Sequence, residues 1–127
     1  MRRPLRWPRV WLSLWLLAVL AVIAVSLLPP PPLPSAPGSD KLGHFLAYSG
    51  LMACAVQVFA GRVLIVIALL LVALGLALEF AQSALTSTRM FEVHDALANT
   101  VGVLAGLTVA STPAAGWLLR LERRLRL

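Results

Sequence analysis

Residues 42–81 read LGHFLAYSGLMACAVQVFA-GR-VLIVIALLLVALGLALEFA, two apolar stretches joined by the dipeptide Gly61-Arg62. A helix needs roughly 20 predominantly apolar residues to cross a hydrocarbon core about 30 Å thick, and each stretch comes close to that length. A connection of two residues leaves room only for a reversal, so the two helices are predicted to run antiparallel as neighbours over their whole length. Outward from this hairpin, Val10 to Leu28 supplies a span before it and residues 95–112 a span after it. The expected fold class is all-α: an integral membrane four-helix bundle forming a single membrane domain over residues 1–127, with spans near 10–28, 42–60, 63–81 and 95–112.

Composition agrees with that solvent. The 127 residues are 60% hydrophobic and 13% charged, with a mean hydropathy of +0.89, more apolar than an ordinary soluble domain. The net charge of +6 does not point to nucleic acid, because the basic residues flank apolar segments and no polar fold presents them. Cys54 is the lone cysteine; it excludes an intramolecular disulfide and a cysteine-based metal motif, and is expected to serve as a small packing residue. The first span follows Arg2, Arg3, Arg6 and Arg9, but its apolar run is longer than the core of a signal peptide, so a retained anchor is expected. Residues 29–39 hold Pro29 to Pro32, Pro34 and Pro37, a stiff extended connector. Residues 113–127 interleave Trp117, Leu118, Leu121 and Leu125 with Arg120, Arg123, Arg124 and Arg126, a short basic amphipathic C-terminal segment suited to an anionic leaflet.

Counting Lys and Arg sets the topology. With the N-terminus inside, Arg2, Arg3, Arg6, Arg9, Arg62, Arg120, Arg123, Arg124 and Arg126 are cytoplasmic, and only Lys41 and Arg89 lie outside. The expected location is the bacterial inner membrane, multi-pass, with both termini in the cytoplasm. The acids sort independently of that rule: Asp40, Glu79, Glu92 and Asp95 fall outside with His44 and His94, and Glu122 alone falls inside.

Helical spacing then groups the outer polar residues. Asp40, His44 and Tyr48 repeat every four residues and share a face; Glu79 and Gln82 share another; Asp95, Asn99, Gly102 and Gly106 form one stripe. Ala98, Gly102 and Gly106 would let a second helix approach closely, which turns that stripe inward. Ionisable groups within spans are costly unless paired, wet or useful, so the candidate binding set is Asp40, Lys41, His44, Tyr48, Glu79, Gln82, Arg89, Asp95 and Asn99.

The order D-K-x-x-H-F-x-x-Y at Asp40 to Tyr48, E-x-x-Q at Glu79 to Gln82, R-x5-D-x3-N at Arg89, Asp95 and Asn99, then Gly102 and Gly106, resembles the VanZ-like membrane protein family. The resemblance spans roughly Asp40 to Gly106 and rests on the combination, since no single piece is specific. It implies a small multi-span fold and an accessory cell-envelope role of the glycopeptide (teicoplanin) resistance type.

Three uses of the polar cluster stay open. It can bind an envelope component by charge and hydrogen bonding, with Lys41 and Arg89 holding a phosphate or carboxylate. It can act on a lipid-linked or cell-wall substrate, with His44, Glu79 and Asp95 as the acid/base candidates, although no serine or cysteine sits in a nucleophile motif. Or it is purely structural, holding helices together. No cofactor is expected, and no metal: His44, Glu79, His94 and Asp95 would have to be assembled across helices, with no HExxH spacing. A transmembrane proton path lacks continuation, since only Gln57 lies toward the inner side. Expected partners are membrane lipids and a lipid-linked or cell-wall component or glycopeptide, not nucleic acid.

Overall fold

The computed structural model describes residues 1–28, 38–85, 87 and 90–126. Five α-helices follow one another: α1 (Pro8–Leu27), α2 (Ser39–Val58), α3 (Val63–Leu85), α4 (Val93–Thr108) and α5 (Trp117–Leu125), with 3-10 turns at Val109–Ser111 and Pro113–Gly116 between the last two. The stretches expected at 10–28, 42–60, 63–81 and 95–112 are thus helical, as α1 to α4, with shifted ends. The proline-rich stretch lies outside the described residues except for Gly38 and Ser39. Pro8 opens α1, where a missing N–H costs nothing.

Three helices, Pro8–Leu27, Val63–Leu85 and Val93–Ser111, are long and apolar enough to cross a membrane. α2 has the length, at 20 residues, but Asp40, Lys41, His44 and Gln57 lower its mean hydropathy. It also has the most protein around it. α2 packs chiefly against α4 and touches α1, α3 and the C-terminal segment as well.

Close approach explains the α2–α4 pairing. A Cβ on Gly102 would stand 2.6 Å from the carbonyl oxygen of Phe45, and one on Gly106 would stand 2.5 Å from that of Ser49. The two backbones are therefore in contact where α4 lacks side chains, the geometry anticipated for its small-residue stripe. The full-length α2–α3 neighbourhood predicted from the Gly61-Arg62 link is not found. The tight turn itself is present, with Gly61 in the left-handed region at φ 74, yet α2 meets α3 over far less surface than it meets α4. A short link sets direction and adjacency at the turn; it does not decide which helix offers the closest-fitting face.

The core centres on Tyr48, Met52, Val56 and Val103, all fully buried, joined by Leu51, Leu64 and Leu71. α1 buries none of its residues and is tied on by its tryptophans. The Trp15 indole donates to the Leu51 carbonyl at 2.8 Å and meets Phe59 edge to face at 5.8 Å. Leu14, Leu17, Leu20, Leu69, Leu70, Leu97 and Leu104 stay exposed, an apolar outer surface of a size that marks a membrane or a partner rather than water. Cys54 is exposed as well, so it does not fill the core as expected.

Polar groups collect at the two ends. At one, the N-terminal arm pairs with the end of α2: the Arg3 N–H donates to the Val58 carbonyl, the Ala60 N–H donates to the Met1 carbonyl, both at 2.9 Å, and the Arg3 guanidinium donates to the Val56 carbonyl at 2.7 Å. The two bonds from Arg3 occupy carbonyls that the end of α2 leaves open. α5 docks beside them. Gln57 donates to the Ala114 carbonyl and accepts the Leu118 N–H, while Glu122 accepts from the N–H groups of Arg6 and Trp7 and the indole of Trp11. The arginine-rich termini and Arg62 thereby share one end of the molecule, and Asp40, Glu79, Glu92 and Asp95 occupy the other.

Candidate functional site: an acidic cavity beside α1

At the acidic end, Gly38 adopts the left-handed region at φ 78 and α2 starts immediately after it. Asp40, His44 and Tyr48 then follow at one-turn intervals along one face of α2 and line the same cavity. α3 contributes Glu79 and Gln82 from its last turns, and α4 contributes Glu92 as the residue before its first turn, Asp95 within that turn and Asn99 one turn on. Helix starts tolerate acids well, because the dipole and free N–H groups there favour negative charge.

These side chains form two linked clusters. The Lys41 ammonium lies 3.3 Å from Glu92 Oε2, and 3.7 Å from both Asp40 Oδ2 and Asp95 Oδ1. The backbone N–H of Lys41 holds the Asp40 carboxyl below its usual range, assisted by the ammonium beside it, and the hydrogen bond to Glu92 holds the Lys41 ammonium above its own. His44 turns Nδ1 to Asn99 Oδ1 at 2.9 Å and Nε2 to Asp95 Oδ2 at 3.8 Å, so both ring nitrogens face oxygen. Glu79 Oε1 accepts the Glu92 N–H at 2.9 Å and ties the end of α3 to the start of α4. The Gln82 amide donates to the Ser26 carbonyl at 2.6 Å and ties α3 to the end of α1.

Between these groups and α1 lies a cavity of about 710 Å³. Its α1 wall is mostly aliphatic, made by Ala21, Val22 and Val25 with Ser26 at its end; the facing wall carries Asp40, His44, Tyr48, Glu79, Gln82, Glu92 and Asp95. Glu79 is 2% exposed and Asp95 8%, and each keeps one buried carboxylate oxygen without a hydrogen-bond partner, Oε2 and Oδ1 respectively. Asp95 Oδ1 lies 3.7 Å from the Lys41 ammonium; among the described residues no cation stands within ion-pair distance of Glu79. Buried polar atoms are nearly always paired, so this exception calls for a cause.

Of the candidate residues, Asp40, Lys41, His44, Tyr48, Glu79, Gln82, Asp95 and Asn99 are brought together, and Arg89 lies outside the described residues. The role expected of Lys41 changes: its ammonium is already shared among three carboxylates, which leaves it poorly placed to hold a phosphate. The acids that do come close enough to share an ion are not the set weighed from the sequence. Carboxylate oxygens of Asp40, Glu92 and Asp95 come within 4.8 Å of one another, around Lys41 rather than around His44 and His94, and His94 is exposed away from the cavity. Lys41 supplies there the positive charge that such a trio needs.

Two contributions escaped sequence reasoning. Glu92 is not in the candidate set, although an acid just before a predicted helix start is an ordinary signal of an N-terminal position. The α1 wall left no signal, because a helix apolar on every side does not reveal which face will line a cavity. Comparison of the chain with protein families, with curated proteins and with solved structures finds no match.

Proposed function

We propose that the chain is a VanZ-like protein of the bacterial inner membrane, crossing it four times with both termini in the cytoplasm, that binds a cell-envelope component or a glycopeptide of the teicoplanin type from the outer side. The observation that carries this is the cavity, whose volume of about 710 Å³ falls in the range of small-molecule sites and whose walls are aliphatic on one side and ionisable on the other. A lipid-linked or cell-wall molecule has both characters. The orientation is supported by the gathering of nine arginines at one end, the bias in Lys and Arg that insertion reads; four of the five acids lie at the other end.

A cluster that only held helices together would be expected to satisfy its members, and the buried Glu79 Oε2 does not fit that description. Catalysis on a lipid-linked or cell-wall substrate is the second reading, favoured by one observation: His44, flanked by Asn99 and Asp95, lines the cavity and provides a group suited to proton transfer. Two substitutions test these alternatives. Glu79→Gln and His44→Asn are expected to keep membrane insertion and thermal stability in detergent while removing any change in envelope composition or drug sensitivity that the gene confers. Unfolding of both variants would favour the structural alternative, and turnover of a lipid-linked substrate by purified wild-type protein would favour the enzyme.

A further inference from the structure

We propose that the cavity takes a primary amine carried on an aliphatic chain, with the ammonium at Glu79 and the chain against α1. This names a ligand class for the site above and rests on that cavity being a ligand site. Four carboxylates line it, those of Asp40, Glu79, Glu92 and Asp95, and the one cation described beside them, Lys41, is committed to Asp40, Glu92 and Asp95. Among the described residues the excess charge is therefore negative, and it is concentrated at Glu79, where Lys41 makes no contact.

Glu79 is the residue left over. One of its oxygens receives the Glu92 N–H; the other is buried without a partner in a side chain only 2% exposed. A carboxylate in such a setting is costly unless a counter-charge joins it. An ammonium provides both the charge and the missing donor, and charge-assisted bonds of this kind are the strong ones. The aromatic ring of Tyr48 lines the same space, and aromatic rings favour cations. Opposite, Ala21, Val22 and Val25 offer a surface for methylenes, and the α1 wall, whose only polar side chain is the Ser26 hydroxyl, carries no charge. An anionic head in the same place would meet like charge from four sides.

The test uses the full chain in phosphatidylcholine nanodiscs and a dodecylamine with a photoreactive diazirine in its tail. After photolysis, labelled residues are located by peptide mass analysis, with unlabelled dodecylamine, dodecyl phosphate and dodecanol as competitors. Labelling is expected on the α1 segment around Val22 and Val25, suppressed by dodecylamine at a concentration about tenfold lower than by either other competitor. Glu79→Gln keeps an oxygen for the Glu92 N–H and is expected to raise that concentration about tenfold, the loss due to one charge-assisted hydrogen bond. Val22→Trp fills the cavity from the other wall and is expected to abolish the labelling with Glu79 intact. Preference for dodecyl phosphate, equal competition by dodecanol, or indifference to Glu79→Gln overturns the amine while leaving a ligand site in place. Absence of any competable labelling on α1 overturns the ligand site too.

Discussion

At the scale of single residues, the largest departure from expectation is Glu122. By position it belongs to a charged tail, yet it is 3% exposed and receives the Arg6 N–H at 2.8 Å, the Trp7 N–H at 3.3 Å and the Trp11 indole at 2.5 Å. Its carboxylate also stands at the start of α1, where negative charge is favoured. Burial pushes the Glu122 carboxyl up, but the three hydrogen bonds and the nearby Arg6 outweigh it and hold it below its ordinary value of 4.5. The unfolded chain consequently binds this proton more readily than the folded one, so the contribution of Glu122 is fully present above the ordinary value and is lost as pH falls through the depressed one. Glu122→Ala is expected to cost about 2 kcal/mol by stranding its donors. In detergent melts, the gap between wild type and Glu122→Gln should be wide at neutral pH and close on acidification; a gap that does not vary with pH would show that the carboxylate charge contributes nothing. His44 and Asp95 were legible as site members because spacing alone places them on inward faces. What Lys41 would touch was not, since a long side chain chooses among acids that only the assembled helices bring near.

Elements pack here by the absence of side chains as much as by their presence. Gly106 faces Ser49 and Met52 with a would-be Cβ only 2.5 and 2.7 Å from their atoms, and the contact at Ser49 is with rigid backbone. Gly106→Val is accordingly expected to destabilise the fold by about 1–3 kcal/mol through overpacking, or to separate α2 from α4. Gly50 makes the control, because nothing lies within 4 Å of the position its Cβ would take. Gly50→Ala should leave the melting temperature unchanged or raise it, by up to about 1 kcal/mol in stability, through helix propensity. Equal damage from both substitutions would mean that close approach is not what joins α2 to α4. The glycine stripe itself was readable from four-residue spacing. Its partner was not: chain proximity favoured α3 for α2, and shape complementarity chose α4.

For the whole molecule, the decisive relation is between two poles, arginines at one and carboxylates at the other. The proposed orientation predicts that a fluorescent protein fused after residue 127 emits in living cells, while alkaline phosphatase inserted after Gly38 is active. The reverse pattern would place the cavity on the cytoplasmic side and remove the access that envelope binding requires. Hydrophobic length, the arginine bias and the i, i+4 recurrence of polar residues are properties of the chain read in order, and from them came the helical class, the positions of α1 to α4 and nearly all the members of the polar cluster. Three matters were settled only by the assembled structure: the pairing of α2 with α4, the docking of α5 through Gln57 and Glu122, and the aliphatic wall that α1 gives the cavity. The reason is physical. Periodicity tells a helix which face to bury, but which neighbour it is buried against depends on how closely two particular surfaces fit and on which buried polar atoms then find partners, and both are set by contacts between residues far apart in the chain.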